Sequence, residues 1–233
     1  MVKFFFDGVC AKFLTDRETD FLAESRFLTV MQDLKRKKLP DNPMQLFEEW
    51  YRLACECEQI RYPAAMSLAT ISPDRYPESR IVLLEHFDAS GFYFFTDKRS
   101  RKGRSLLQAP VASLNFYWGP LELQICVQGD VAEAGDKYAD EFFQRRPRKS
   151  QVTAWVSAQS LPVPDKQSLQ RRMDELDRQF EGTERIPRPP EWQAYRLKPR
   201  RIEFWLARAR RLHDRFMYAK NESENWELSR LAP

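Results

Sequence analysis

The alternation of apolar and polar residues predicts one long helix followed by a series of short strands. From Asn42 to about Gln59 the apolar residues recur at helical spacing, with Asn42 in the N-cap position and Pro43 in the first turn. Beyond this helix the pattern changes to short aromatic or β-branched segments separated by turn residues, which is typical of strands. These predicted strands cover residues 65–71, 79–87, 91–96, 111–118 and 121–131.

The remaining segments add helices around these strands and then return to a sheet. Helices are predicted at 100–108, 136–145 and 165–180, and further strands at 195–197, 201–206, 212–218 and 226–228. Strands in close succession favour antiparallel pairing, and there are enough of them to close a barrel. We therefore expect a mostly β fold with flanking helices.

No internal repeat, low-complexity tract or linker divides the chain, so residues 41–233 are predicted to form a single domain. Residues 1–40 carry mixed signals and end in the basic run Lys35-Arg36-Lys37-Lys38. This segment is predicted to be an N-terminal extension that docks late or stays mobile.

Composition narrows the classes of protein to consider. Of 233 residues, 42% are hydrophobic and 13% are aromatic, which is enough for a core. Lys and Arg number 38 against 34 Asp and Glu, so the charge indicates no nucleic-acid partner. The apolar run Phe4-Phe5-Phe6 is broken at once by Asp7, so we expect neither a secretory signal nor a membrane segment there.

The cysteines and histidines point to neither a disulfide framework nor a metal site. The four cysteines have no framework spacing in a chain that is large enough to fold without crosslinks. Cys55 and Cys57 lie two residues apart on a predicted helix, where their side chains point in different directions. Together with the absence of a secretory signal, this pattern favours a cytoplasmic protein without a bound metal.

A phosphate-binding segment is predicted at the start of the second helix. Residues 95–103 combine a strand end, a hydroxyl, four cations and a helix N-terminus. Arg101 and Lys102 in the first helical turn oppose the helix dipole unless an anion is bound there. A solvated basic turn is an equally good explanation of this segment taken alone. The chain has no G-x-G-x-x-G or Walker-type motif, so side chains and a helix end must hold the phosphate.

A second polar cluster is predicted near the C-terminal end. Alternate residues of a strand face the same way, so Arg211, His213 and Arg215 are expected to share one face of strand 212–218. Two guanidinium groups beside an imidazole favour an anion or another acceptor between them. The alternative is a surface strand whose cations pair with glutamates across the sheet.

Several short motifs occur in order between Asn42 and Pro233. They are Arg80-Ile-Val-Leu-Leu84, Phe94-Phe-Thr96, Ser100-Arg-Lys102, Arg146-Pro-Arg-Lys-Ser-Gln151, Trp155-Val-Ser157, Gln159-Ser160, Ile202-Glu-Phe-Trp205, Arg211-Leu-His-Asp-Arg215 and Arg230-Leu-Ala-Pro233. In this order the motifs resemble the pyridoxine 5′-phosphate oxidase family. The combination of E-F-W, R-L-H-D-R and a final W-x-L-x-R-L-A-P is highly specific.

The resemblance implies an FMN-binding split β-barrel that forms a homodimer, with FMN held in clefts built from both subunits. The implied FMN contacts are Arg80, Ile81, Val82, Leu83, Leu84, Phe95, Thr96, Arg101, Lys102, Gln124, Gln159, Ser160, Trp205 and Arg215. The implied substrate contacts are Arg146 and Ser150 for a phosphate, with Arg211 and His213 as catalytic residues beside the substrate ring. The implied reaction oxidises pyridoxine or pyridoxamine 5′-phosphate to pyridoxal 5′-phosphate and reduces O2 to H2O2.

Most departures from the family pattern lie on the substrate side. Glu85 stands where the family has a lysine, and Phe142 stands where it has a tyrosine. Tyr62 replaces an acidic residue, Gln193-Ala194 replaces a Gly-Gly pair, and Thr29 stands in place of an N-terminal tyrosine. Two of the four expected contacts to the substrate phosphate are therefore lost or reversed in charge.

These departures leave two alternatives open. The first is a related flavin oxidase, similar to the phenazine-biosynthesis branch of the superfamily, that acts on a substrate without a phosphate. The second is a protein that binds FMN or a B6 vitamer without turnover. The retained residues Arg146, Ser150, Arg211 and His213 favour the vitamin B6 oxidase over both.

Overall fold

The computed structural model describes residues 39–233, which contain five α-helices and a nine-stranded sheet. The helices are α1 (Pro43–Glu56), α2 (Arg101–Gln108), α3 (Asp136–Arg145), α4 (Arg148–Val156) and α5 (Lys166–Gln179). The strands are β1 (Ala65–Ile71), β2 (Pro77–Leu83), β3 (His86–Asp88), β4 (Gly91–Asp97), β5 (Val111–Trp118), β6 (Leu123–Glu133), β7 (Trp192–Leu206), β8 (Asp214–Lys220) and β9 (Trp226–Arg230). The expectations for Thr29 and for most of the N-terminal extension lie outside the described residues.

Helix α1 begins as its sequence predicts and packs an apolar face into the sheet. The Asn42 side chain accepts a hydrogen bond from the Met44 backbone N–H at 3.0 Å, and Pro43 opens the first turn. Phe47 and Trp50 are fully buried against the sheet. The helix ends at Glu56, three residues before the predicted end, because Cys57 has extended backbone angles.

All strand pairs are antiparallel, and the sheet is curled. Its order is β2-β1-β5-β6-β7-β4-β3, with β8 paired to β7 and β9 paired to β8. Strands β2 and β3 lie at opposite ends of this order, yet only Leu84 and Glu85 separate them in the chain. The two ends of the sheet must therefore meet, and we call this meeting point the seam.

The long strand β7 joins the two halves of the sheet. Its first half pairs with β4 and its second half pairs with β8. On its other edge, β7 pairs with the whole of β6 from Tyr195 to Leu206. The β6–β7 register shifts between Gln128 and Gly129. A Cβ atom at Gly129 would lie 2.0 Å from the Lys198 carbonyl oxygen, so this bulge needs a residue without a side chain.

Four sequence expectations need correction. The predicted strand 79–87 is two strands, because the Leu84 N–H donates to Ala64 on one side of the seam and the Glu85 N–H donates to Tyr93 on the other. The predicted strands 195–197 and 201–206 are one strand, and strand 212–218 begins only at Asp214. Helix α4 was not predicted, since Val152, Thr153 and Val156 are weak helix formers.

Two apolar clusters form the interior. The larger one fills the curled sheet and includes Phe47, Trp50, Phe92, Phe116 and Phe204, all fully buried. The smaller one packs α3, α4 and α5 together through residues such as Phe143, Val152 and Leu176. Within residues 39–233, no helix combines the length and the apolar character that crossing a membrane requires.

Replacing Phe47 with alanine tests the larger cluster. The Phe47 ring lies 4.8–5.3 Å from the rings of Phe87, Phe92 and Phe116, so its removal leaves a cavity between helix and sheet. We expect Phe47→Ala to lower the free energy of unfolding by about 3–5 kcal/mol in denaturant titrations. The control Leu107→Ala, at a side chain that is 86% exposed, should change it by less than about 0.5 kcal/mol. Equal effects of the two substitutions would contradict this packing.

Candidate active site

A cluster of cations forms where β2, β4 and the start of α2 meet. Arg80 on β2 donates hydrogen bonds to the Thr70 hydroxyl at 2.7 Å and to the Leu68 carbonyl at 3.3 Å. Glu78, two residues earlier on the same face of β2, accepts from Arg80 at 3.1 Å and also pairs with Arg101. The strand and the helix end are thus linked through one carboxylate. We call this group, with Thr96 and Lys102, the cation cluster.

Lys102 connects the cation cluster to the segment after α4. Its ammonium group donates to the Thr96 hydroxyl at 3.0 Å and to the Gln159 side-chain oxygen at 2.9 Å. The Thr96 hydroxyl lies 2.7 Å from the same Gln159 oxygen. Ser100 caps α2 by accepting from the Gly103 N–H at 3.2 Å, which places the first turn of the helix beside these groups.

The charges of the cation cluster are not balanced within it. Burial and the nearby Arg80 guanidinium lower the pKa of Lys102 to about 8. Burial also lowers the pKa of Arg80, and Arg101 contributes in the same direction. Among residues 39–233, Glu78 is the one carboxylate that forms ion pairs with these cations, while Asp97 and Asp74 act on Lys102 and Arg101 at longer range. A bound anion would relieve the repulsion that remains. A phosphate group fits this donor set.

The other predicted contacts in this region have different exposures. Ile81 and Leu83 lie on the opposite face of β2 and are exposed, whereas Val82 is half-buried and Leu84 is buried. Ser160 is exposed and has a left-handed φ of 70° directly after Gln159.

A second polar group lies on neighbouring strands at another part of the sheet. Gln124 on β6 is directly opposite Trp205 on β7, and Trp205 is directly opposite Arg215 on β8. The His213 ring lies 4.7 Å from the Trp205 ring, and its Nδ1 accepts a hydrogen bond from the Arg208 N–H at 3.1 Å. We call these four residues, Gln124, Trp205, His213 and Arg215, the strand cluster.

The expectation that Arg211, His213 and Arg215 share one face of a strand is wrong. The pairing between β7 and β8 ends at Asp214, so His213 precedes the strand. Arg211 lies in a 3₁₀ turn, is exposed and has a left-handed φ of 61°. Arg215 donates to Glu203 across the sheet at 2.7 Å, which is the alternative considered from the sequence.

The C-terminal residues hold the start of β8. Arg230 donates to Asp214 at 2.5 Å, and the Leu231 N–H donates to the Arg215 carbonyl at 3.0 Å. The Arg215 guanidinium donates to the Ala232 carbonyl at 2.9 Å. The terminal motif therefore stabilises the strand cluster.

A third group surrounds Arg146 at the end of α3. The Arg146 guanidinium lies 5.1 Å from the centre of the Trp192 ring, and its buried Nη1 has no hydrogen-bond partner in the described part of the chain. The buried Gln151 amide donates to the carbonyls of Phe143, Gln144 and Arg146 at 3.1–3.2 Å, which fixes the end of the helix. Ser150 is half-buried in the first turn of α4.

Glu85 and an aromatic wall complete this third group. The half-buried carboxyl of Glu85 lies close enough to Arg146 for the two charges to interact. Burial raises the pKa of Glu85, and Arg146 partly offsets that rise. Phe95 stacks on Trp192 with ring centres 4.4 Å apart and lies 5.4 Å from Phe142. Glu85, Arg146 and these rings form what we call the tail pocket.

The sequence also matches known families. Residues 56–206 match the family described as pyridoxamine 5′-phosphate oxidase. The chain belongs to this family. Residues 192–233 match the pyridoxine 5′-phosphate oxidase C-terminal dimerisation region, which contains the Trp205 to Arg215 part of the strand cluster.

Individual relatives of this oxidase family agree with the match. The chain is 41% identical over 201 residues to pyridoxine/pyridoxamine 5′-phosphate oxidase of Christiangramia forsetii, covering 86% of this chain and 93% of the relative. It is 45% identical over 194 residues to the protein of the same name from Rubrobacter xylanophilus, covering 83% and 88%.

Solved structures show the same fold. The structure of PhzG from Burkholderia lata, in complex with tetrahydrophenazine-1-carboxylic acid, has a TM-score of 0.78 and 28% identity, covering 97% of this chain and all of that chain. An FMN-binding protein from Nostoc punctiforme related to pyridoxamine 5′-phosphate oxidase has a TM-score of 0.60 and 18% identity, covering 75% and 90%. The predicted family and split-barrel fold are thus confirmed.

Within one chain the predicted site residues fall into separate groups. Among residues 39–233, no hydrogen bond, ion pair or ring contact joins the cation cluster to the strand cluster. Glu78, Gln151 and Trp192 belong to these groups but were not predicted as site residues from the sequence. Glu78 could have been identified because it alternates with Arg80 on one strand face, and Gln151 closes a motif already noted.

Inorganic phosphate should stabilise the protein through the cation cluster once bound small molecules have been removed. At a concentration near 100 times the dissociation constant, it should raise the melting temperature by about 5–10 °C relative to chloride of equal ionic strength. Arg101→Gln should remove much of this shift because Arg101 is one of the three cations. Arg104→Gln, an exposed position on the same helix, should keep it. An equal shift in both variants would contradict a phosphate site here.

Proposed function

We propose that this protein is an FMN-dependent oxidase that converts pyridoxine 5′-phosphate or pyridoxamine 5′-phosphate to pyridoxal 5′-phosphate and reduces O2 to H2O2. The observation that carries the proposal is the cation cluster, where Arg80, Arg101 and Lys102 meet with one carboxylate between them. The relatives that are named pyridoxine/pyridoxamine 5′-phosphate oxidase support the reaction.

The cation cluster holds the phosphate of FMN. Arg101 and Lys102 lie in the first turn of α2, where the helix dipole also favours an anion. Lys102 and the Thr96 hydroxyl already lie within hydrogen-bonding distance of each other and can turn their donors to phosphate oxygens. FMN, when bound, supplies the redox chemistry by taking a hydride from the substrate and passing its electrons to O2.

A second copy of the chain completes the site. Directly paired residues share one sheet face, and the row Tyr117, Gln124, Trp205 and Arg215 continues the strand cluster across that face. Tyr117 is 64% exposed, and Ile81 on strand β2 is 69% exposed. Apolar surface therefore remains uncovered beside this row of residues. In the homodimer the strand cluster of one subunit faces the cation cluster of its partner, and the matched C-terminal dimerisation region supports this arrangement.

The remaining residues hold and orient the substrate. Arg146 and Ser150 bind the phosphate-bearing end of the substrate, which we call its tail, and Arg211 lies beside the substrate ring. Because His213 Nδ1 accepts the Arg208 N–H, a neutral His213 ring carries its proton on Nε2, where it can donate to a substrate oxygen. The apolar wall of Phe95 and Trp192 excludes water from the pocket.

One observation favours a second candidate, a flavin oxidase of a substrate without a phosphate. Glu85 puts a carboxylate beside Arg146, which opposes a phosphate at that point. The similar PhzG structure is a complex with tetrahydrophenazine-1-carboxylic acid, a compound without a phosphate.

Colour and peroxide release test the proposed reaction. The purified protein should be yellow with FMN bound, and it should release H2O2 when given pyridoxine 5′-phosphate in air. Peroxide only from substrates without a phosphate would support the second candidate. Bound FMN without peroxide from any of these substrates would indicate a binding protein, and protein that cannot be loaded with FMN would contradict both oxidase proposals.

Lys102 should make FMN binding depend on pH. Its pKa of about 8 in the free site rises when the FMN phosphate binds, so the protonated form binds best. We expect the affinity for FMN to be about half as high at pH 8 as at pH 7 and to fall further towards pH 9.5, as measured by flavin fluorescence. Lys102→Gln should weaken binding by about tenfold or more at pH 7 and remove this fall. Lys166→Gln, an exposed lysine on α5, is the control and should behave as the unaltered protein.

A further inference from the structure

Glu85 occupies a constrained position in the tail pocket. It lies in the seam between β2 and β3, and its backbone N–H donates to the Tyr93 carbonyl at 3.0 Å. The side chain is half-buried and its charge interacts with Arg146 at the end of α3. The closure of the sheet therefore fixes the backbone position from which this carboxylate extends.

Two buried polar atoms beside Glu85 have no hydrogen-bond partner among residues 39–233. They are Arg146 Nη1 and the hydroxyl oxygen of Tyr138, and both residues interact electrostatically with Glu85. A buried donor without a partner is costly, so these atoms indicate a pocket that a ligand group completes. Glu85 partly offsets the charge of Arg146 but accepts no hydrogen bond from this Nη1.

Among residues 39–233, Arg146 is the cation whose charge acts on the Glu85 carboxyl. Tyr138 stacks on Phe142 at 4.5 Å, so α3 presents rings to the pocket. The Arg145 guanidinium lies 5.0 Å from the Phe142 ring and is exposed, and on β3 His86 pairs with Asp88 at 3.6 Å. The charge of Arg146 is thus partly offset by Glu85, whereas the cation cluster contains three cations with one ion-paired carboxylate.

We propose that Glu85 is a specificity-determining residue, which weakens the binding of substrates with a phosphate dianion at the tail and favours neutral or singly charged tails. This inference rests on the proposed function, because it takes Arg146 as a substrate contact. Glu85 acts through its charge, since a carboxylate beside Arg146 repels the dianion that the guanidinium attracts. Its discrimination is complete when Glu85 is ionised and is lost as pH falls through its raised pKa.

Two substitutions at Glu85 test the proposal in FMN-loaded protein. Glu85→Gln keeps the size and removes the charge, so the KM for pyridoxine 5′-phosphate should fall at least about tenfold, equivalent to about 1.4 kcal/mol. Glu85→Lys should lower it further. Neither should lower the KM for unphosphorylated pyridoxine. Glu48→Gln, an exposed glutamate on α1, is the matched control and should change neither KM.

A binding measurement and a pH series separate charge from structure. The dissociation constant of pyridoxal 5′-phosphate, measured by calorimetry, should fall from the unaltered protein to Glu85→Gln and further to Glu85→Lys. This measurement does not depend on turnover. The KM of the unaltered protein for pyridoxine 5′-phosphate should rise with pH more steeply than the KM of Glu85→Gln. In the variant, only titration of the substrate contributes to the pH dependence.

The outcomes are distinguishable. Equal KM and dissociation constants in the unaltered protein and Glu85→Gln would overturn the role of Glu85. Parallel pH profiles would overturn it as well. If the unaltered protein released no peroxide from either substrate, the proposed function would fail, while the binding series would still decide whether Glu85 opposes a phosphate.

Discussion

The closure of the sheet at the seam is the constraint on which the rest of the structure depends. Strands β2 and β3 are neighbours in the chain but lie at opposite ends of the strand order, so two residues must span the gap between them. The sheet can satisfy this only by curling. The curl brings β2 with Arg80 towards β4 with Thr96 and α2 with Lys102, and it leaves Glu85 at the point of closure.

This geometry gives the two regions different electrostatic characters. In the cation cluster three cations share one ion-paired carboxylate, whereas in the tail pocket the charge of Arg146 interacts with that of Glu85. On the proposed function, the first suits a cofactor that stays bound through many turnovers. The second suits a substrate whose product must leave. In the proposed homodimer, the partner subunit supplies the strand cluster that each chain lacks beside its own cation cluster.

The sequence predicted regular elements well where local periodicity determines them. Strands β1 and β5 and helix α3 have the predicted bounds, because each has an uninterrupted apolar pattern between clear turn or cap signals. The cation cluster was also anticipated from Arg101 and Lys102 opposing a helix dipole. The left-handed turn at Arg211 and helix α4 were not predicted. Helix α4 depends on residues that are distant in the chain, since Arg148 donates to the Phe180 carbonyl and Trp155 donates to the Pro187 carbonyl. The proximity of Glu85 to Arg146 likewise arises only when the seam meets the end of α3.

The C-terminal segment has a practical consequence for protein preparation. Arg230, Leu231 and Ala232 contact Asp214 and Arg215, yet all three lie outside the two apolar clusters. Removing Leu231 and Ala232 by proteolysis, or crowding them with an affinity tag, would leave the two apolar clusters intact while releasing their contacts to Arg215, close to His213. A preparation with a ragged C-terminus would thus melt normally and still be defective, so intact mass should be verified before a low specific activity is assigned to the enzyme itself.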